Sequence, residues 1–100
     1  MHVMLTNQFP PHMVKEVAKV FLGELPKRPK FVKHLFQFVS AADNVKTYTF
    51  YEIDDAKVKE GLAYLNQVMA KFIPIEGYKM RIEPVWTPEE ALPLYGFKTT

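Results

Sequence analysis

The spacing of apolar positions changes repeatedly along the chain, and each change of period predicts an element. HVMLTNQF alternates, with Val3 and Leu5 on one side and Met4 and Thr6 on the other, so it reads as a first strand. Pro10-Pro11 stops that strand and suits a helix start, where the missing N–H groups would have no partner anyway. From Pro11 to Leu25 the period becomes helical: Met13, Val14, Val17, Val20, Phe21 and Leu25 form one stripe, opposite Lys15, Glu16, Lys19 and Glu24. Gly23 and Pro26 end it. Phe31 to Val39 is rich in aromatic and β-branched residues and predicts a second strand. SAADN supplies the turn chemistry, and VKTYTFYEI returns as a third strand, completing a hairpin. In that strand Val45, Thr47, Thr49, Tyr51 and Ile53 share one face and Lys46, Tyr48, Phe50 and Glu52 the other. Both faces carry large side chains, which points to cover on each.

Asp54 and Asp55 are expected as N-caps of a second helix, whose stripe runs through Val58, Leu62, Leu65, Val68, Met69 and Phe72. Pro74 and Gly77 close it, and YKMRIEPVW alternates as a fourth strand, limited by Pro84. Thr87, Pro88 and Glu90 make a capping box for one short helical turn, with Pro93 as its stop. The order β-α-β-β-α-β is the ferredoxin-like plan of an α+β domain. It predicts a four-stranded antiparallel sheet with two helices on one face over residues 1–86. Residues 87–100 form a C-terminal tail with a short helical turn, in which Tyr95 and Phe97 are candidates for contact with a partner subunit. The bare face of the sheet is expected to hold Met4, Thr6, Leu35, Val39, Thr49 and Tyr51. That set is too apolar to face water, and a second copy is its natural cover.

Composition narrows the chemistry. Aromatics at 14% and a hydrophobic share of 48% support a packed core. Without cysteine there are no disulfides, no thiol catalysis and no Cys-based metal site, which fits a cytoplasmic protein. The N-terminal segment lacks the features of a signal peptide, and no apolar run is long enough to span a membrane. A net charge of +2 is too small to argue for a nucleic-acid partner, and the cluster Lys27, Arg28, Lys30 and Lys33 reads as a solvated edge. RNA recognition, which this element order permits, would need strands both basic and aromatic.

The run TYTFYEIDDAKVKEGLAYL followed by YKMRIEPVW resembles the dimeric α+β barrel superfamily. More narrowly, it resembles a family of short uncharacterised microbial domains. The matching features are Glu52 at a strand end, Asp54-Asp55 opening a helix, and Glu83-Pro84-Val85 closing the last strand. The resemblance implies two ferredoxin-like subunits packed sheet to sheet. It also implies the activities known in that superfamily: cofactor-independent monooxygenases, isomerases, haem enzymes and stress proteins. No histidine here sits in the context of a haem ligand, so no cofactor is expected.

Candidate residues follow from chemistry at strand positions. His34, at the start of the second strand, and Tyr51 are the candidate catalytic groups, since a histidine or tyrosine could act as a base if it faced a cavity. Arg81, Gln37, Thr49 and Trp86 are candidate ligand-binding residues: Arg81 could hold a carboxylate or phenolate, or else cross a dimer seam to an acid. His2, His12 and His34 share no metal-binding spacing, and the four glycines form no phosphate loop. The functional expectation is a homodimer binding a small aromatic or acidic ligand between sheet and helices or at the sheet face. The alternatives are a cofactor-independent monooxygenase or isomerase, and a purely structural or protein-interaction domain.

Overall fold

A computed structural model describes residues 1–98. Strand β1 (His2–Phe9) leads through a 3-10 turn to α1 (Val14–Gly23), and β2 (Val32–Ser40) and β3 (Val45–Ile53) form the hairpin. A second 3-10 turn precedes α2 (Val58–Phe72), followed by β4 (Lys79–Val85), the short α3 (Pro88–Ala91) and a last 3-10 turn (Leu92–Tyr95). The strands run in the order β2-β3-β1-β4, all antiparallel, which is the expected ferredoxin-like α+β topology.

The sheet is open, which overturns the expected barrel. β2 and β4 are its two edges, separated by β3 and β1, and nothing joins them. Four twisted strands are too few to close around a packed interior, which takes about eight. The core lies between the sheet and the helices instead. Val3, Leu5, Val32 and Ile53 rise from the sheet to meet Leu65 of α2, and a second cluster joins Val20 of α1 to Val68, Phe72 and Ile75. On α2 the buried positions Gly61, Leu65, Val68 and Phe72 fall at helical spacing, so the apolar stripe decides which way the helix faces.

Local chemistry at the termini of elements holds in one case and fails in another. Thr87 and Glu90 make the reciprocal capping box: the Glu90 N–H donates to Thr87 Oγ1 at 3.2 Å and the Thr87 N–H to Glu90 Oε1 at 3.1 Å. Neither Asp54 nor Asp55 caps α2 with its side chain. A 3-10 turn over Asp55–Lys57 sets the first turn back, and the Asp55 carboxylate accepts from the Met1 α-ammonium at 2.8 Å instead.

Register sorts the faces. Val3 pairs with Tyr51, Leu5 with Thr49 and Asn7 with Thr47, so the odd positions of β1 and β3 lie together under the helices. Thr49 and Tyr51 therefore belong to the covered face and not, as expected, to the bare one. Val39, which pairs with Thr47, goes with them. A bulge between His34 and Phe36 shifts the parity of β2, so that Phe36 and Phe38 stand beside Phe50 and Tyr48 on the open face.

Candidate functional site

Across the open face, the register lays out four rows from β2 to β4. The first is Lys33, Glu52, His2 and Val85; the second is Phe36, Phe50, Met4 and Glu83. The third is Phe38, Tyr48, Thr6 and Arg81, and the last is Ser40, Lys46, Gln8 and Lys79. Four aromatic rings thus form a block over β2 and β3, with charge at its ends. Phe36 and Phe38 stack with centroids 6.4 Å apart and are 60% and 61% exposed, an unusual cost for neighbouring phenylalanines. Glu52 draws in His2 Nε2 at 3.2 Å and Lys33 Nζ at 3.8 Å, and Arg81 lies 3.9 Å from Glu83 along the β4 edge.

The candidate residues divide between the two faces. Under the helices, His34 meets the Tyr51 ring edge-on at 5.6 Å, and Gln37 pairs with buried Thr49. Arg81 lies on the opposite side of the sheet and Trp86 just beyond the end of β4, so these six share no single cavity. Trp86 lines a hollow of about 540 Å³ together with Met1, His2, Glu52, Asp55 and Glu90. There the Met1 ammonium, through its hydrogen bond and then its charge, holds Asp55 below the usual carboxylate range. Glu90 is lowered as well, first by the backbone N–H of Thr87 and then by its hydroxyl. Among the described residues, no three His, Asp or Glu side chains converge as metal ligands.

Burial pushes the Tyr51 phenol up to about 12, with Tyr64 adding to the shift and Arg28 opposing it. At neutral pH the Tyr51 phenol therefore keeps its proton. Tyr78 and Tyr64 are raised too, in both cases chiefly by burial. A raised tyrosine keeps its proton in the folded chain after the unfolded chain has lost it. Stability should thus be unaffected by Tyr51 below pH of about 10 and fall as pH climbs toward 12, by at most about 1.4 kcal/mol per pH unit, with Tyr78 and Tyr64 acting in the same direction. Urea titrations at rising pH, read beside tyrosinate absorbance, check this. A midpoint that holds steady above pH of about 10 would contradict it.

Sequence reasoning missed Asn7 and Thr47, which pair across β1 and β3 on the covered face, each with a buried side-chain oxygen that has no hydrogen-bond partner. Two polar residues in otherwise apolar alternation were the available signal.

No protein-family model matches this chain, and no curated protein matches it. The open sheet removes the basis for placing the chain in the dimeric barrel superfamily or in the narrower microbial family, and that resemblance is set aside. Among the described residues, no helix is long and apolar enough to cross a membrane.

Proposed function

We propose that this protein is a homodimeric binding domain whose copies stack through their open sheet faces, leaving each helix-covered face free to take a small molecule. One observation carries the reading: the charge and aromatic rows of the open face are complementary to themselves. A two-fold axis lying between the sheets, across the strands and midway between the Phe50 and Tyr48 rows, brings each row over its counterpart. Phe36 then meets Phe38 of the partner subunit and Phe50 meets Tyr48 of the partner subunit. Glu52 meets Lys46 of the partner subunit, and Glu83 meets Arg81 of the partner subunit. An axis along the strands would instead set the phenylalanines of β2 over Glu83 and Arg81, which is poor packing and poor electrostatics.

The area is adequate. Four strands about 4.8 Å apart and eight residues at about 3.3 Å each span roughly 500 Å² in projection. Side-chain relief raises the accessible area toward the ~800 Å² per partner of a standard interface. The product is a stack of two open sheets with free edges, and sheets facing this way cross at about 30°. Arg81 is then a seam residue.

Sedimentation velocity across the micromolar range tests the assembly. Arg81→Glu and Glu83→Arg should each weaken dimerisation by roughly ten-fold, because two symmetric contacts turn repulsive. The double variant restores every pairing and should return to within about three-fold of the parent. A parent that stays monomeric, or a double variant as weak as the singles, overturns the reading.

A further inference from the structure

β4 is an edge strand. β1 pairs with one side of it, in an unbroken register from His2–Val85 to Gln8–Lys79, and among the described residues no strand pairs with the other. The outward N–H and C=O groups of every second residue are therefore open to an incoming chain. The opposite edge offers less, because the bulge between His34 and Phe36 breaks the row on β2. Alternation gives the two sides of β4 different chemistry. Met80, Ile82 and Pro84 pair with Asn7, Leu5 and Val3 under the helices, while Lys79, Arg81 and Glu83 stand on the open face.

A hollow lies against each side of this strand. On the helix side, Leu62 and Met69 of α2 and Met80 and Ile82 of β4 line about 400 Å³ of unfilled space, with no charged side chain among the lining residues. Met80 and Ile82 are only half-buried, whereas Val3 and Leu5 beside them on β1 are buried, so the helices cover β4 incompletely. On the open side, Thr6 and Gln8 of β1 and Lys79 and Arg81 of β4 line a second hollow of about 390 Å³. Its charge is mainly positive. Glu83 is the one acid lining it and already lies 3.9 Å from Arg81, while Lys79 makes no ion pair among the described residues.

We infer that the β4 edge docks a short extended peptide of a partner protein, one whose residues alternate between apolar and acidic. A strand added beside β4 sends successive side chains to opposite sides of the sheet. Every second one enters the hollow beside α2, and those between meet the cations Lys79 and Arg81. Backbone pairing supplies affinity, and the two hollows select the side chains. Pro84 has no N–H to give, so pairing is confined to Lys79–Glu83 and the guest to about five residues. Antiparallel pairing is the more stable direction per residue. In that direction the guest carries, from its N-terminus, a cation opposite Glu83, an apolar residue opposite Ile82, an acid opposite Arg81, an apolar residue opposite Met80 and an acid opposite Lys79. The inference goes beyond the stacked dimer, which uses the face of the sheet and not its edge. Arg81 serves both surfaces and Lys79 only this one, so the test turns on Lys79.

The probe is the peptide KLEIE, blocked at both ends, titrated into the full-length protein and followed by the backbone amide shifts of Met80 and Ile82. These shifts should saturate at submillimolar peptide. KEELI, the same residues without the alternation, and ELKIK, with the charges exchanged, should each bind about ten-fold more weakly. Lys79→Glu should weaken KLEIE about ten-fold and strengthen ELKIK. Asn66→Trp, which fills the hollow from an exposed position on α2, should weaken KLEIE by a similar factor with the far-UV spectrum preserved. If KLEIE leaves the amides of β4 unmoved, the site is overturned and the edge is left to a second copy or to solvent. Equal binding of KEELI, or binding indifferent to Lys79→Glu, overturns it as well. A fall in the sedimentation coefficient on adding KLEIE would place the peptide on the sheet face and overturn the edge site. A parent that stays monomeric removes the stack yet leaves each of these results readable, so the two proposals fail separately.

Discussion

Leu65→Ala is expected to lower the unfolding free energy by about 2–5 kcal/mol, the range for emptying a fully enclosed leucine site. Leu65 has no exposed surface and is the residue through which α2 enters the cluster of Val3, Leu5, Val32 and Ile53. A domain of this length has about 5–15 kcal/mol in total, so the loss would be a large fraction of its stability. Urea unfolding followed by circular dichroism reads it as a lower midpoint at constant slope. Lys59→Ala on the exposed side of the same helix serves as the comparison and should move within about 0.5 kcal/mol. Similar losses for both variants would mean that α2 is not seated on the sheet through this side chain.

Gly61→Val produces the opposite defect, too much material where helix and sheet come closest. A Cβ at Gly61 would stand 2.5 Å from Ile53 Cγ2 and 2.8 Å from Ile53 Cδ1, and Ile53 has no exposed surface and no room to retreat. Overpacking of this kind costs about 1–3 kcal/mol, and valine adds two further carbons beyond the clashing one. The three nearest atoms all belong to Ile53, which makes the effect separable. Ile53→Ala alone should cost about 2–5 kcal/mol, yet the double variant should cost less than the two singles together, by roughly 0.5–3 kcal/mol. Strict additivity would show that the valine is accommodated by moving α2 and not by displacing Ile53.

The order of elements was legible because it rests on local chemistry that tertiary structure left alone: Pro10-Pro11 after β1, helical spacing in α2, and the capping box at Thr87. Side-chain direction was not. β3 is large and apolar on both faces, Tyr51 and Thr49 against Phe50 and Tyr48, so alternation says that two faces exist without saying which one the helices cover. That choice comes from the pairing of Thr49 with Leu5 and Tyr51 with Val3, a long-range register. In β2 the bulge at His34–Phe36 breaks the period itself. For the candidate residues, Gln37 and Thr49 proved neighbours while Arg81 went to the far side. The Asp54-Asp55 pair misled because capping competes with other uses of a carboxylate, here the amino group of Met1. Closure of the sheet was never a local property, so no stretch of sequence reported on it.

The two edges of the open sheet have a further consequence. The hairpin holds VKTYTFYEI beside Phe36 and Phe38, a composition that favours endless strand-on-strand addition when edges are free. Here the bulge interrupts the amide row of β2, and Pro84 withholds one N–H from β4. An incoming strand would find only short stretches of continuous hydrogen bonding on either side. Fibrillar growth from the native fold is therefore blocked at its first step, and concentrated solutions should remain clear until conditions are reached that unfold the hairpin.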